Sequence, residues 1–164
     1  MVGVAGLLDA WLPALPGVPG KLELGATVAD VGCGTGDSTI LLAGAYPESR
    51  FWGFDRDPAA IARAGWLATT GGVADRIRFE VADPGSYPGT SFDLVCQFDR
   101  LRVVPDPLAV ARHVLATLAP EGSWLLVAAA GSEAWLREVA ACAGFSRFRV
   151  AGHTRGDLVL EGKP

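Results

Sequence analysis

Thr27-Val28-Ala29-Asp30-Val31-Gly32-Cys33-Gly34-Thr35-Gly36-Asp37 is the stretch on which the fold turns. Its β-branched opening predicts a strand over 27–31 that runs straight into alternating glycines, and Asp37-Ser38-Thr39 then opens a helix through Ala45 that Pro47 stops. A strand, a glycine-rich turn and a helix in immediate succession make the first half of a βαβ unit. Glycines at such a turn allow it to be tight and let backbone come close to a ligand.

Working outward, the same alternation repeats. Residues 50–54 predict a second strand, and Asp57-Pro58 pairs an N-cap with proline at the first helical position for an Ala-rich helix through Leu67. A third strand, 77–81, alternates cleanly, and a fourth, 93–98, is apolar enough to be buried on both faces. Asp106-Pro107 repeats the helix start for 108–118, and Pro120-Glu121-Gly122 makes a turn before a fifth strand, 123–128. A last helix, 133–143, ends at Gly144, and strands 148–151 and 157–161 close the chain. The four residues His153-Thr154-Arg155-Gly156 between them permit a hairpin but no helical crossover. The expectation is one α/β domain over residues 1–164: a doubly wound, Rossmann-like, seven-stranded sheet, mostly parallel, with one antiparallel strand near the C-terminus.

Composition narrows the function. Half of the 164 residues are hydrophobic and a fifth charged, which excludes a disordered chain. Asp9, Asp30, Asp55 and Asp93 interrupt the apolar runs before membrane-spanning length, and the opening residues lack the basic segment of a signal peptide. A net charge of −4 with scattered basic residues argues against nucleic acid as a partner. Cys33, Cys96 and Cys142 are far apart and show no metal-ligand spacing with His113 or His153, so they are expected as small buried hydrophobes in a reducing cytoplasm, with no metal.

In an open parallel sheet, ligands bind beyond the carboxyl ends of the strands. Gly32, Gly34 and Gly36 lie at the first such end, and Asp37 stands where a dinucleotide fingerprint requires glycine; a carboxylate there would repel a pyrophosphate. Asp55 ends the second strand, 19 residues beyond Gly36, where a carboxylate can accept both hydroxyl protons of a ribose. Since Asp57 supplies the helix cap, Asp55 has no evident local partner. Asp83, ending the third strand, suits either an adenine amino group or the turn before Pro84-Gly85. Asp99 suits an ammonium or sulfonium group, or a solvated loop. Asp30, inside a strand, must be paired or hydrogen-bonded, as an anchor for the glycine loop with or without ligand contact.

Val28 through Gly36 closely resembles the first motif of class I S-adenosylmethionine-dependent methyltransferases, and Gly53-Phe54-Asp55 resembles the second. Val81-Ala82-Asp83 and Phe92-Asp93-Leu94-Val95 match the third and fourth in type and order, and the likeness covers nearly the whole chain. More narrowly, Pro13-Ala14-Leu15-Pro16-Gly17 and the tail from Leu136 to Phe145 are similar to a bacterial group in which a winged-helix segment precedes this domain. The resemblance implies S-adenosylmethionine as cofactor, held by Asp30, Gly32, Gly34, Gly36, Asp55, Arg56, Asp83 and Phe98.

Relative to that group the sequence has no upstream winged-helix region and reads Asp99-Arg100-Leu101-Arg102 where Cys and His are usual. It also passes almost directly from the fifth strand into Glu133, without a long insertion. The missing pieces are those that would wall in a methyl acceptor. The implied function is methyl transfer to a small molecule; the alternative is a non-catalytic S-adenosylmethionine-binding module. A homodimer or partner chain would then cover the acceptor side. No catalytic base stands out: His113 and His153 read as structural or surface residues, and Arg100 and Arg102 suit either an acidic acceptor or a solvated loop.

Overall fold

The computed structural model describes residues 4–154 and 156–164. Met1 to Gly3 of the opening segment and Arg155 of the last connection lie outside them. The seven strands are β1 (Thr27–Val31), β2 (Arg50–Asp55), β3 (Ile77–Val81), β4 (Phe92–Phe98), β5 (Leu118–Ala129), β6 (Arg147–His153) and β7 (Asp157–Lys163). They form one sheet in the order β3-β2-β1-β4-β5-β7-β6. β7 runs antiparallel to both its neighbours, and the pairs among the first five strands are parallel, as expected.

The strand order follows from side-chain alternation and short helical crossovers. Along β1, Val28 faces one layer and Ala29 and Val31 the other. The first layer contains α2 (Asp37–Ala45) and α3 (Pro58–Thr70), with Leu42, Ala43 and Ala68 buried against the sheet. The second contains α4 (Pro107–Thr117) and α5 (Glu133–Ala143), which bury Val110, Ala111, Val114, Leu136 and Ala140. Asp57 and Asp106 cap α3 and α4 by accepting from the amides of Ala59 and Ala109, both at 2.9 Å. Gly144 ends α5 at φ +105°.

Two features depart from the sequence-based expectation. The Pro120-Glu121-Gly122 turn falls within β5: the ladder jumps from Phe92↔Leu118 to Leu94↔Ser123, so the extra residues loop out as an irregularity in a longer strand. The second is a layer the alternation did not reveal. Residues 4–24 cover the α2–α3 side, burying Leu7, Trp11, Leu15, Val18 and Leu22 at helical spacing, while Pro13, Pro16 and Pro19 break the run into short turns and α1 (Val18–Leu24). Trp11 packs on Phe98 of β4 with ring centroids 5.5 Å apart.

Candidate functional site

The chain leaves β1 in one direction through β2 and β3 and resumes at β4 on the opposite side, so the topological switch lies between β1 and β4. A cleft opens there, beyond the strand ends, and the glycine loop forms its floor. Amides of Gly32 and Cys33 both donate to the Phe54 carbonyl, at 2.8 and 3.0 Å, which bends the chain off β1 and across β2. Gly36 takes φ +80° at the start of α2, where an added Cβ would stand 2.7 Å from Phe79 Cζ. Glycine is therefore required by both backbone and packing at that position.

Asp55 is not without a local partner, contrary to the expectation from sequence. Its Oδ2 accepts from the Gly34 amide at 2.9 Å and its Oδ1 from the Asp57 amide at 3.0 Å. The carboxylate ties the first glycine turn to the start of α3, each oxygen retains capacity for a further donor, and the residue lines a smaller pocket beside the cleft.

Asp30 is buried in β1 and faces α2, where its Oδ2 accepts from Ser38 and, at 2.7 Å, from Thr39. Its Oδ1 has no partner among the described residues. Burial pushes its carboxyl above the usual carboxylate range, against the pull of the two hydroxyls. Asp30 therefore anchors the loop–helix junction and still holds an unsatisfied oxygen beside it.

Asp83 is engaged on both oxygens: Oδ1 accepts from the Gly85 amide at 2.8 Å, and Oδ2 pairs with Arg56 at 2.6 Å. The Gly85 amide first and Arg56 second hold its carboxyl below the ordinary value. Arg56 thus stands between Asp55 and Asp83, bracing the β2 and β3 ends. Phe98 lines the cleft from β4 and is backed by Trp11. Asp99 follows at φ +50°, a left-handed conformation uncommon for a residue with a side chain, with its amide fixed to the Val127 carbonyl at 2.7 Å.

That turn throws Arg100 back over the glycine loop. A Cβ placed on Gly32 would come within 2.9 Å of Arg100 Cγ, and one on Gly34 within 3.6 Å of the guanidinium. The Arg100 guanidinium makes no hydrogen bond or ion pair among the described residues, and it borders both the cleft and a smaller pocket toward Ala82 and Pro84. Gln97 of β4 also lines that pocket, fully buried, with neither its carboxamide oxygen nor its nitrogen partnered among the described residues.

The sequence left Arg100 between an acidic-acceptor contact and a solvated loop residue, and gave Gln97 no role. The signal for Gln97 was available: a polar side chain inside an otherwise apolar strand. Val4 of the opening segment lines the cleft as well, so residues ahead of β1 supply part of its wall. His113 bonds the Tyr87 carbonyl at 2.8 Å, and His153 lies in β6; neither borders the cleft. Burial raises the Cys33 thiol well above its usual range, which disfavours a nucleophilic thiolate. Among the described residues no cluster of His, Cys, Asp and Glu could hold a metal, and no helix is long and apolar enough to cross a membrane.

A family model described as a methyltransferase domain matches residues 22–149. Trans-aconitate 2-methyltransferase of Streptomyces coelicolor is 34% identical over 155 residues, covering 92% of this chain and 49% of that protein. The enzyme of that name from Escherichia coli O1:K1 is 34% identical over 95 residues, 58% of this chain and 36% of its own length. The chain thus spans half or less of these curated relatives. A SAM-dependent methyltransferase from Aquifex aeolicus shares the fold with a TM-score of 0.77 at 15% identity, over 88% of this chain and 86% of that one. A TehB-like SAM-dependent methyltransferase from Corynebacterium glutamicum does so with a TM-score of 0.73 at 19% identity, over 98% and 91%.

Proposed function

The chain belongs to the class I S-adenosylmethionine-dependent methyltransferases, and on that premise we propose that it transfers a methyl group to a small carboxylic acid. One observation carries the cofactor half of this reading: at the topological switch, Asp55 holds the Gly34 amide with a lone pair to spare on each oxygen and lines the pocket beside the glycine loop. A vicinal diol fits those lone pairs, as it fits a carboxylate at the end of the second strand of nucleotide-binding sheets. The unpartnered Oδ1 of Asp30 supports the reading independently, since a buried carboxylate oxygen without a donor suits an ammonium group delivered directly or through water. Gly32 and Gly34 keep the floor low enough for a ligand to lie on it and Gly36 lets the loop turn into α2 against Phe79, while Arg56 and Asp83 brace the nucleoside end and Phe98 the opposite wall.

Bound S-adenosylmethionine supplies an electrophilic methyl on a sulfonium, and in-line displacement depends chiefly on alignment, worth roughly 7–11 kcal/mol when good. The acceptor half rests on Arg100. Its guanidinium is unpaired and borders the cleft, where a bidentate hold on a carboxylate would orient that group. A carboxylate is already ionised near neutral pH. Its methylation requires no proton acceptor, in keeping with a cleft that neither histidine borders. The names of the trans-aconitate 2-methyltransferase relatives support the same class of acceptor.

Calorimetric titration with S-adenosylmethionine, S-adenosylhomocysteine and NAD tests the first half, with binding expected for the first two alone. A panel of di- and tricarboxylic acids, phenols and amines tests the second, with methyl esters expected. Comparable NAD binding, or turnover confined to phenols or amines, overturns the corresponding half. A second reading has its own support in the three-residue connection from β5 to α5 and the exposed Val103 at the rim. On that reading the chain binds the cofactor but needs a second copy or another chain to complete the acceptor side, and the isolated monomer binds without turnover.

A further inference from the structure

Two groups suit the amino-bearing edge of the cofactor's base, and the structure separates them. Asp83 already has a partner on each oxygen, the Gly85 amide and Arg56, and its side chain is half exposed, so no buried group there calls for a ligand. Gln97 has a carboxamide with no partner among the described residues, although it is fully buried. It sits on the α4–α5 face of β4, in a pocket whose other walls include Phe54, Asp55, Ala82, Pro84 and Val104. Apolar surface around a single amide, next to the carboxylate that suits a ribose, is what a purine attached to that ribose would need.

A buried amide left unpaired destabilises the chain that carries it, so its retention calls for a group that satisfies it. A carboxamide presents one donor and one acceptor side by side, the complement of the adenine edge formed by the 6-amino group and the neighbouring ring nitrogen. Resting on the cofactor assignment above, we infer that Gln97 is the residue that reads the base of the cofactor, through paired hydrogen bonds from its carboxamide. Arg100 borders the same pocket, its stem over Gly32 and its guanidinium without a partner among the described residues.

The test compares the parent chain with Gln97→Leu and Gln97→Met in calorimetric titrations. One probe is S-adenosylhomocysteine; the other is its analogue carrying purine without the 6-amino group. The parent should prefer the adenine compound by 10-fold or more. Both variants should bind S-adenosylhomocysteine at least 10-fold more weakly and lose the preference, with an unchanged or higher unfolding temperature in the absence of ligand. An affinity within twofold of the parent, or a preserved preference, assigns base reading to another group and overturns the inference. Lower unfolding temperatures in both variants show that the amide is satisfied within the fold, which overturns it too. A parent that binds neither compound refutes the cofactor assignment itself, a result distinct from all of these.

Discussion

The amide of Gly34 donates to Asp55 Oδ2 at 2.9 Å, so the carboxylate that ends the second strand holds the loop that leaves the first. Any role of Asp55 toward a ligand is therefore coupled to the shape of the surface on which that ligand lies. Asp55→Ala should weaken S-adenosylhomocysteine binding by about 2–4 kcal/mol, from the loss of charge-assisted bonds to a diol together with a looser loop. It should also lower the unfolding temperature by a few degrees, because the Gly34 and Asp57 amides lose their acceptor. Asp55→Asn keeps one acceptor oxygen and should fall between. Affinity within a factor of two of the parent for Asp55→Ala rules out the diol contact.

Gly36 is held by sterics as well as by backbone. An added methyl would meet Phe79 Cζ at 2.7 Å and Ala64 Cβ at 3.0 Å, at a φ of +80° that disfavours any side chain. Gly36→Ala should cost about 1–3 kcal/mol of stability, read from denaturant unfolding. Gly44, in the same helix and with open space at its Cβ position, should gain stability on the same substitution. Equal responses at the two positions would contradict this packing account.

The fold was largely legible because each strand–helix alternation carried its own punctuation: Gly32 to Gly36, Asp57-Pro58, Asp106-Pro107 and Gly144 all fall at observed element ends. The cover formed by residues 4–24 was not, since three prolines break a helical apolar spacing into turns whose period cannot be recognised as an element. At the site, Asp30 was legible as a charge that must be satisfied inside a strand. Asp55 was legible as a strand-end carboxylate, but its bond to Gly34 joins residues 21 apart in sequence and depends on β1 and β2 being neighbours. Arg100 could not be separated from a solvated loop residue for a related reason: only the left-handed turn at Asp99 sends it back over Gly32.

Asp30 should show an opposition between stability and binding. Burial raises its pKa, so the protein bears the cost of an ionised carboxylate once pH exceeds that raised value, whereas below the unfolded-state pKa both states are neutral and the cost vanishes. Asn in its place keeps an acceptor for Ser38 and Thr39 and carries no charge. Asp30→Asn should therefore unfold at a higher temperature than the parent near pH 7, and the gap should narrow as pH falls toward 4. Its affinity for S-adenosylmethionine should fall, since the amide offers no charge to an ammonium. A gap that widens on acidification would reverse the sign of this argument, and unchanged affinity would detach Asp30 from the ligand.

Arg100 gives the sharpest test of the acceptor class. Its guanidinium borders the cleft without a partner, so the bond it would make to an acceptor carboxylate replaces no internal one. Arg100→Met keeps most of the stem that rests on Gly32 and removes only the charged fork. A charge-assisted hydrogen bond contributes about 1.5–3 kcal/mol, which corresponds to a rise in KM of about 10- to 160-fold for carboxylic acid acceptors. Arg100→Lys should recover only part of this, because an ammonium cannot hold both carboxylate oxygens in one plane. S-adenosylhomocysteine affinity should change little in Arg100→Met, since the lost fork is assigned to the acceptor. Steady-state kinetics on carboxylic acids, paired with cofactor titration of each variant, separates the outcomes. A KM unchanged in Arg100→Met removes Arg100 from the acceptor site. A loss confined to cofactor affinity would instead place the guanidinium on the cofactor's own carboxylate.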